Sequence, residues 1–237
     1  MKFTPPLNSA TLVRRYKRFL ADVQLSSGEI ATIHCPNTGS MKNCQTPNSM
    51  IWYSTSDNKN RKYPQTWQFI EVDEKEVVGI NTGLSNKLVV EAIEDGVIKQ
   101  LQGYEEINTE VPYGSQKSRI DIFLSDSSKA DCFVEVKNVS LRVEGGQGLF
   151  PDAVTTRGQK HLQELIWVKK SGARALLIFC VQHTGIKRVS PADEIDYEYG
   201  KLLRVALNQG VEVLAYRAQI NPEQSTVFLS EEIPVII

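Results

Sequence analysis

The sequence has no long apolar run, and this absence argues against a helix that crosses a membrane. No uninterrupted apolar stretch approaches the ~18 residues that such a helix needs. The first residues, MKFTPP, also lack the apolar core of a secretory signal. These absences predict a cytoplasmic protein with no membrane partner.

Cysteine is scarce, which argues against a fold held together by disulfides. The four cysteines show no C-x-x-C spacing, and Cys132 and Cys180 lie in apolar, strand-like runs where a buried free thiol is common. The sequence also lacks a P-loop, a dinucleotide-binding fingerprint and an evident Ser/His/Asp triad. The common nucleotide-cofactor and serine-hydrolase chemistries are therefore not indicated.

The overall composition is that of a globular protein, but its charge is unevenly distributed. The chain has 237 residues, of which 41% are hydrophobic and 23% are charged, so it can form one large or two modest domains. Residues 1–82 hold 10 Lys and Arg against 7 Asp and Glu, whereas residues 83–237 hold 17 against 21. A basic part joined to an acidic part suggests that one binds a polyanion and the other binds cations.

The first region, residues 1–82, is predicted to be a small all-β barrel. Apolar and polar residues alternate through residues 12–25, residues 26–28 form a turn signal, and residues 29–34 return as a partner strand. Further strands are expected at residues 50–54, 67–72 and 76–80. Several short strands separated by turns are typical of an OB-like barrel.

Two basic segments of this region also contain aromatic residues. Residues 14–18 (RRYKR) place four cations around one tyrosine, and residues 59–63 (KNRKY) precede Trp67. Cations that meet phosphates, interleaved with rings that stack on bases, are the means by which a barrel face binds nucleic acid. A solvated basic strand edge is the alternative. The cations expected to contact DNA are Arg14, Arg15, Lys17 and Arg18.

The second region, residues 83–237, is predicted to be an α/β domain. Helical periodicity appears at residues 84–97, 156–170 and 197–208. Strands are expected at residues 106–112, 119–124, 132–139, 173–182 and 211–216. This order predicts a mixed sheet flanked by helices.

Two neighbouring strands of that domain carry the candidate chemistry. Residues 119–126 (RIDIFLSD) include Asp121, and residues 130–137 (ADCFVEVK) include Glu135 and Lys137. Glu135 and Lys137 are two positions apart, so both leave the same face of their strand. Two carboxylates and an ammonium on rigid strands suit cation-assisted phosphodiester hydrolysis. A surface hairpin with a cross-strand ion pair is the alternative.

A third carboxylate lies on the first helix of the domain. Leu84, Leu88 and Glu91 fall on one stripe, so Glu91 borders the buried face and does not point squarely at water. A carboxylate in that position either pairs with a cation or belongs to a site.

The helix–strand order together with Asp121, Glu135 and Lys137 resembles the PD-(D/E)xK nuclease superfamily. Enzymes of that superfamily often add an acid from a helix, and this resemblance implies that role for Glu91. Ile120 stands where the motif's name places proline, which is a departure from the pattern.

A narrower resemblance covers the chain from Leu12 to Tyr216. Four stretches, HCPNTGSM (34–41), NTGLSNKLV (81–89), FVEVKNV (133–139) and FPDAVTTRGQKHLQEL (150–165), are similar to the sugar fermentation stimulation protein A family. The resemblance implies an OB-like barrel, a nuclease-like second domain and DNA binding without sequence preference. It also implies a link to the regulation of sugar (maltose-type) metabolism.

The chemistry assigns a role to each candidate residue. Asp121 and Glu135, with Glu91, are expected to bind Mg²⁺ or Mn²⁺, which prefer oxygen ligands. Lys137 is expected to orient or deprotonate the attacking water and to offset charge on the phosphate. Arg157 and Lys160, at the start of their helix, are expected to meet DNA phosphates.

Two functions remain open at this point, a DNA-binding protein and an active metal-dependent nuclease in DNA processing or repair. The three residues Asp121, Glu135 and Lys137 favour retained chemistry, whereas the family's link to regulation favours binding. A sugar-responsive transcription factor lacks an evident helix-turn-helix. DNA binding with a metal-dependent nuclease site is the prediction, and a homodimer remains open.

Overall fold

The first six strands form a sheet that closes into a barrel. The computed structural model describes residues 1–114 and 118–237 of the chain. The strands are β1 (Asn8–Tyr16), β2 (Leu20–Gln24), β3 (Ile30–His34), β4 (Met50–Thr55), β5 (Gln65–Glu71) and β6 (Val77–Gly79). They lie in the order β3-β2-β1-β4-β5-β6, and an additional β3–β5 pairing closes five of them. Leu12, Ile33 and Trp67 are fully buried in its core. The predicted OB-like barrel is confirmed.

The prediction of one strand through residues 12–25 is wrong. β1 ends at Tyr16 and β2 begins at Leu20, and the two pair as an antiparallel hairpin. Lys17 and Arg18 take positive φ values of 50° and 64° to make the turn between them. The alternation of side chains continues across this turn, and the turn contains none of the Gly, Asn or Asp residues that normally mark one.

The second region is a six-stranded mixed sheet flanked by helices, as predicted. Its strands are β7 (Glu106–Tyr113), β8 (Ser118–Ser125), β9 (Cys132–Val139), β12 (Arg174–Val181), β14 (Glu212–Asn221) and β15 (Thr226–Glu232). They lie in the order β15-β14-β12-β9-β8-β7. β12 runs parallel to β9 and β14, and the other neighbours are antiparallel.

Helices cover both faces of this sheet. The helices are α1 (Ser85–Glu94), α2 (Thr156–Lys170) and α3 (Tyr197–Asn208). α2 and α3 connect parallel strands, and Leu162, Leu165 and Leu203 pack in one core on their side of the sheet. α1 packs on the opposite side through Leu88 and Val89. The two faces of the sheet therefore have separate cores.

Four strands of the second region were not expected from the sequence. Three of them, β10 (Leu141–Val143), β11 (Gln147–Phe150) and β13 (Arg188–Pro191), form a small separate sheet. Of the glycine-rich residues 145–148, the first two form a turn and the last two begin β11. The fourth is β15, an edge strand of the large sheet.

The barrel packs closely against the second region. Trp52 and Phe69 of the barrel belong to the same hydrophobic core as Leu88 of α1. A backbone bridge joins Val78 of β6 to His183, which follows β12. The barrel therefore shares its core with the α1 side of the large sheet.

All four cysteines are buried and free, which confirms the prediction for Cys132 and Cys180. Within the described ranges, no helix is long and apolar enough to cross a membrane.

Candidate functional site

Strand pairing brings the two predicted acids together. Phe123 pairs with Phe133 and Ile122 pairs with Val134, and the pairing ends one position before Asp121 and Glu135, which therefore lie close together. Ring centroids of Phe123 and Phe133 lie 4.9 Å apart on the α2 side. Glu135 is two positions beyond Phe133, so it leaves from that same side. Asp121 lies where the β8–β9 pairing ends and also receives a donor from α1.

Glu135 is almost completely buried, with 1% of its surface exposed. Its Oε1 accepts a hydrogen bond from Lys137 Nζ at 2.6 Å and also contacts His161 Nδ1. Burial raises the pKa of Glu135, but the hydrogen bond with His161 and the charge of Lys137 outweigh it, so the pKa lies below its ordinary value. Glu135 is therefore a buried carboxylate held in its ionised form.

Asp121 is fixed by donors from two neighbouring elements. Its Oδ2 accepts from the backbone N–H of Val136 at 2.7 Å, and its Oδ1 accepts from Asn86 Nδ2 at 3.0 Å. Burial and the negative charge of Glu135 raise the pKa of Asp121 despite these two donors. The two acids repel each other, and a bound cation would relieve that repulsion.

His161 belongs to the cluster, which the sequence reasoning missed. Leu165 lies one turn further along the helix, and this spacing alone indicates a structural role for His161. The structure buries it to 6% exposure on α2, with Nδ1 3.3 Å from Lys137 Nζ. Its position in the FPDAVTTRGQKHLQEL segment, the longest of the four stretches that resemble the family, was the available signal.

Glu91 does not join the cluster, and its predicted place there is wrong. It lies on α1, which packs against the opposite side of the sheet from α2. Its carboxylate pairs with the amino group of Met1 at 2.6 Å. A helical stripe indicates a buried edge but does not say which face of the sheet the helix covers.

The remaining acids offer an incomplete set of metal ligands. Within residues 1–114 and 118–237, no three His, Cys, Asp or Glu side chains form a group that could hold a metal ion by themselves. Glu135 Oε2, however, is buried without a hydrogen-bond partner among the described residues. Mg²⁺ commonly uses one or two carboxylates and completes its shell with water and phosphate oxygens. Asp121 and Glu135 fit a cation of this kind.

The predicted cationic cluster of the barrel divides into inward and outward side chains. Arg15 donates through one guanidinium nitrogen to the carbonyls of Arg18, Asn37 and Gly39 at 2.8–3.0 Å. The role of Arg15 as a phosphate contact therefore does not fit its placement. Lys17 and Arg18 are exposed at the turn.

Arg14 is partly engaged inside the protein and partly exposed, unlike Arg15 or the pair Lys17 and Arg18. Its Nε donates to Asp22 at 2.8 Å, yet the side chain remains 68% exposed and lies 5.0 Å from the ring of Tyr16. The expectation that the ring of Trp67 stacks on a base is wrong, because Trp67 is fully buried and donates its ring N–H to the carbonyl of Phe69. Trp67 is a core residue and cannot stack on a base.

The start of α2 supplies the other predicted cations. Arg157 is exposed, and its Nε donates to His161 Nε2 at 3.4 Å. Lys160 is half-buried on the same helix. The beginning of α2 therefore extends from the surface to the Glu135 cluster.

Contacts connect the barrel turn to this helix. The loop that Arg15 holds continues to Ser40, whose hydroxyl donates to Asp152 Oδ2 at 2.8 Å. Asp152 precedes α2 in the chain. A cavity of about 80 Å³ at this junction is lined by residues of the loop and of β9, including Asn37 and Asn138. These contacts join the cationic turn to the segment that immediately precedes α2.

Comparison with known families and proteins gives consistent matches along the chain. Residues 13–80 match a family described as the SfsA N-terminal OB domain, and residues 83–224 match one described as the sugar fermentation stimulation protein RE domain. Similar proteins include the sugar fermentation stimulation protein homologue of Shewanella denitrificans, with 54% identity over 97% of this chain and 98% of the relative. The homologue of Teredinibacter turnerae shares 55% identity over 100% of both chains.

The fold is also similar to a solved structure, that of Pyrococcus furiosus SfsA in complex with Ca²⁺. The TM-score is 0.88 at 28% sequence identity, and the match covers 100% of this chain and 98% of the other.

Proposed function

The chain belongs to the sugar fermentation stimulation protein family, and we propose that it binds DNA without sequence preference and hydrolyses it with a divalent cation. The observation that carries the proposal is the buried Glu135, with Lys137 Nζ 2.6 Å from its carboxylate and with Asp121 bonded to the backbone N–H of the next residue, Val136. Strand order and the Glu-x-Lys spacing support a likeness to PD-(D/E)xK nucleases. A role in sugar (maltose-type) metabolism would act through this DNA binding.

Asp121 and Glu135 would hold Mg²⁺ or Mn²⁺. When bound, such a cation would neutralise the two carboxylates and polarise a phosphate oxygen. The related protein from Pyrococcus furiosus was solved with Ca²⁺, which also prefers oxygen ligands, and this supports a hard cation in the family.

Hydrolysis adds the oxygen of a water molecule to phosphorus and breaks the bond from phosphorus to one sugar oxygen. Lys137 would hold that water or offset the negative charge that develops on the phosphate. The departing sugar oxygen takes up a proton. The buried setting of Glu135 strengthens each of these electrostatic interactions.

Exposed cationic side chains at the barrel turn and at the start of α2 support DNA binding. Lys17 and Arg18 extend from the barrel turn, and Arg157 extends from the start of α2. Cations of this kind meet phosphates regardless of base sequence. The Ser40–Asp152 contact joins the two sets, so one strand of DNA could meet both on its way to the cluster.

A cleavage assay tests the proposal. Wild-type protein is incubated with Mn²⁺ or Mg²⁺ and with supercoiled, linear duplex and single-stranded DNA, alongside Glu135→Ala. Glu223→Gln serves as a control that alters an exposed carboxylate elsewhere. We expect cleavage by wild type and by Glu223→Gln, and none by Glu135→Ala or after chelation of the metal. If no DNA form is cleaved while binding persists, the protein binds DNA without hydrolysing it.

A further inference from the structure

His161 connects a surface cation to the buried carboxylate. On one side of its ring, Nδ1 contacts Glu135 Oε1, and on the other side Nε2 lies 3.4 Å from Arg157 Nε. His161 is 6% exposed, whereas Arg157 is exposed. The imidazole is therefore the bridge between the start of α2 and the strand that carries the chemistry.

The two contacts assign a tautomer to the ring. An arginine guanidinium has only donors, so His161 Nε2 must accept from Arg157 and cannot carry a hydrogen. The ring hydrogen then lies on Nδ1, which donates to Glu135 Oε1. Lys137 Nζ, which also has only donors, lies 3.3 Å from Nδ1 but directs its hydrogen to Glu135 Oε1 at 2.6 Å. Histidines that orient functional groups are commonly fixed in one tautomer by the contact at the opposite nitrogen.

This arrangement places two hydrogen-bond donors on the same oxygen of the Glu135 carboxylate. Glu135 Oε1 receives donors from His161 and from Lys137, whereas Oε2 is buried with no partner in the part of the chain that the structure describes. Two donors on one oxygen fix the rotation of the carboxylate, so the same oxygen stays unpaired. An unpaired buried oxygen is costly for stability but is suited to receive a ligand.

We propose that His161 is a positioning residue, which fixes Glu135 with Oε2 available to the cation and links that carboxylate to Arg157 at the DNA-facing start of α2. This inference rests on the proposed metal-dependent hydrolysis. DNA phosphate bound at Arg157 is then separated from the cation-binding carboxylate by a single imidazole ring. His161 itself touches neither the cation nor the phosphate.

The tautomer can be measured without metal or DNA. Protein labelled with ¹⁵N in its three histidines gives separate ring-nitrogen signals, and loss of one set in His161→Asn assigns that set to His161. We expect a hydrogen on Nδ1 and none on Nε2 in the wild-type protein near pH 8. A hydrogen on Nε2, alone or on both nitrogens, would overturn the proposal even if the protein cleaves DNA.

A matched pair of variants separates positioning from packing. The amide nitrogen of Asn reaches the place of His Nδ1, whereas that of Gln reaches the place of Nε2, so only His161→Asn keeps the donor to Glu135. Calorimetry with Mn²⁺ should show affinity reduced about 10–100-fold in His161→Gln, the range found when a residue supporting a metal ligand is lost. His161→Asn should remain within a few-fold of wild type. Equal Mn²⁺ affinities for the two variants and wild type would sink the positioning role.

Cleavage kinetics with Mn²⁺ complete the test. We expect His161→Gln to lower kcat with little change in KM for DNA, because Arg157 and the barrel turn are intact, and His161→Asn to restore most of kcat. If the wild type never cleaves DNA but the tautomer and the Mn²⁺ affinities are as expected, the proposed hydrolysis fails and the positioning role stands. If both variants cleave like wild type, the positioning role fails and hydrolysis stands.

Discussion

Strand β9 carries apolar side chains on one face and two charged side chains on the other, although other parts of the protein cover both faces. Val134 and Val136 pack on the α1 side, in the core that the large sheet shares with the barrel. Glu135 and Lys137 alternate with these two valines along the strand and lie on the α2 side, where Glu135 has only 1% of its surface exposed. One eight-residue strand therefore serves as a hydrophobic core element on one face and as a charged cluster on the other.

The comparison shows which face stabilises the fold and which is maintained at the expense of stability. Burial of apolar side chains contributes about 25 cal/mol per Å² removed from water, so the α1 face favours folding directly. An ionised carboxylate in the interior costs several kcal/mol unless it is paired and hydrogen-bonded. Within residues 1–114 and 118–237, Glu135 has its partners on one oxygen only. A polar group with this arrangement fits a functional role better than a stabilising one.

Removing the charge of the α2 face should have the largest effect, and it should fall on catalysis. We expect Lys137→Met to lower Mn²⁺-dependent cleavage by about 10²–10⁴-fold, the usual contribution of a group that assists proton transfer or charge development. DNA affinity should stay within a few-fold, since Lys137 would act mainly in the transition state. Single-turnover cleavage and a binding titration measure the two quantities separately.

Lys201→Met is the matched control for this experiment. Lys201 lies on α3 with 60% of its side chain exposed, and the substitution removes the same charge from the protein. It should cleave like wild type. If Lys137→Met unfolds, or if it cleaves as fast as Lys201→Met, Lys137 serves the structure and the proposed contrast between the faces is wrong.

Truncation on the α1 face should have the next largest effect, and it should fall on stability. Ile178 of β12 pairs with Val136 and is fully buried in the shared core. Ile178→Ala should lower the free energy of unfolding by about 2–5 kcal/mol because it leaves a cavity. Urea denaturation measures this loss. Cleavage per folded molecule should be unchanged, and a large fall in kcat would mean that the two faces are not independent.

The sequence predicted the acids of the cluster because they are local to two strands. Asp121 and Glu135 lie on adjacent antiparallel strands joined by a short turn, so their positions in the sequence are enough to bring them close together. The bounds of α2 and α3 were also predicted, because their apolar residues repeat at helical spacing over several turns.

Contacts between distant elements could not be predicted in the same way. His161 contacts Glu135, which is 26 residues earlier in the chain, only because helix α2 packs across strand β9. Glu91 was misplaced for the converse reason, since periodicity finds the buried side of a helix but not the face of the sheet that receives it. Register and face are properties of the assembled sheet.

Neighbouring cations on the barrel repeat the contrast between inward and outward side chains. Arg15 turns inward, where three backbone carbonyls accept its hydrogen bonds, while Lys17 and Arg18 remain exposed at the turn. A cation with its hydrogen bonds already made inside the protein gains little from a phosphate. Only the outward cations are expected to release counterions from DNA when they bind.

The smallest effect should come from these outward cations, and it should appear as a change in salt dependence. We expect Lys17→Gln/Arg18→Gln to reduce the slope of log affinity against log salt by about 1.8 for duplex DNA, because each phosphate contact contributes about 0.9. The loss should be similar for unrelated duplex sequences, since phosphates carry no base information. Lys99→Gln/Lys201→Gln removes the same charge from exposed positions outside the turn and should leave the slope almost unchanged.

Arg15→Gln should lower stability more than it alters the slope, because its bonds hold residues 37–39. If Arg15→Gln reduces the slope as much as the double variant while remaining as stable as wild type, the inward and outward cations do not differ in function.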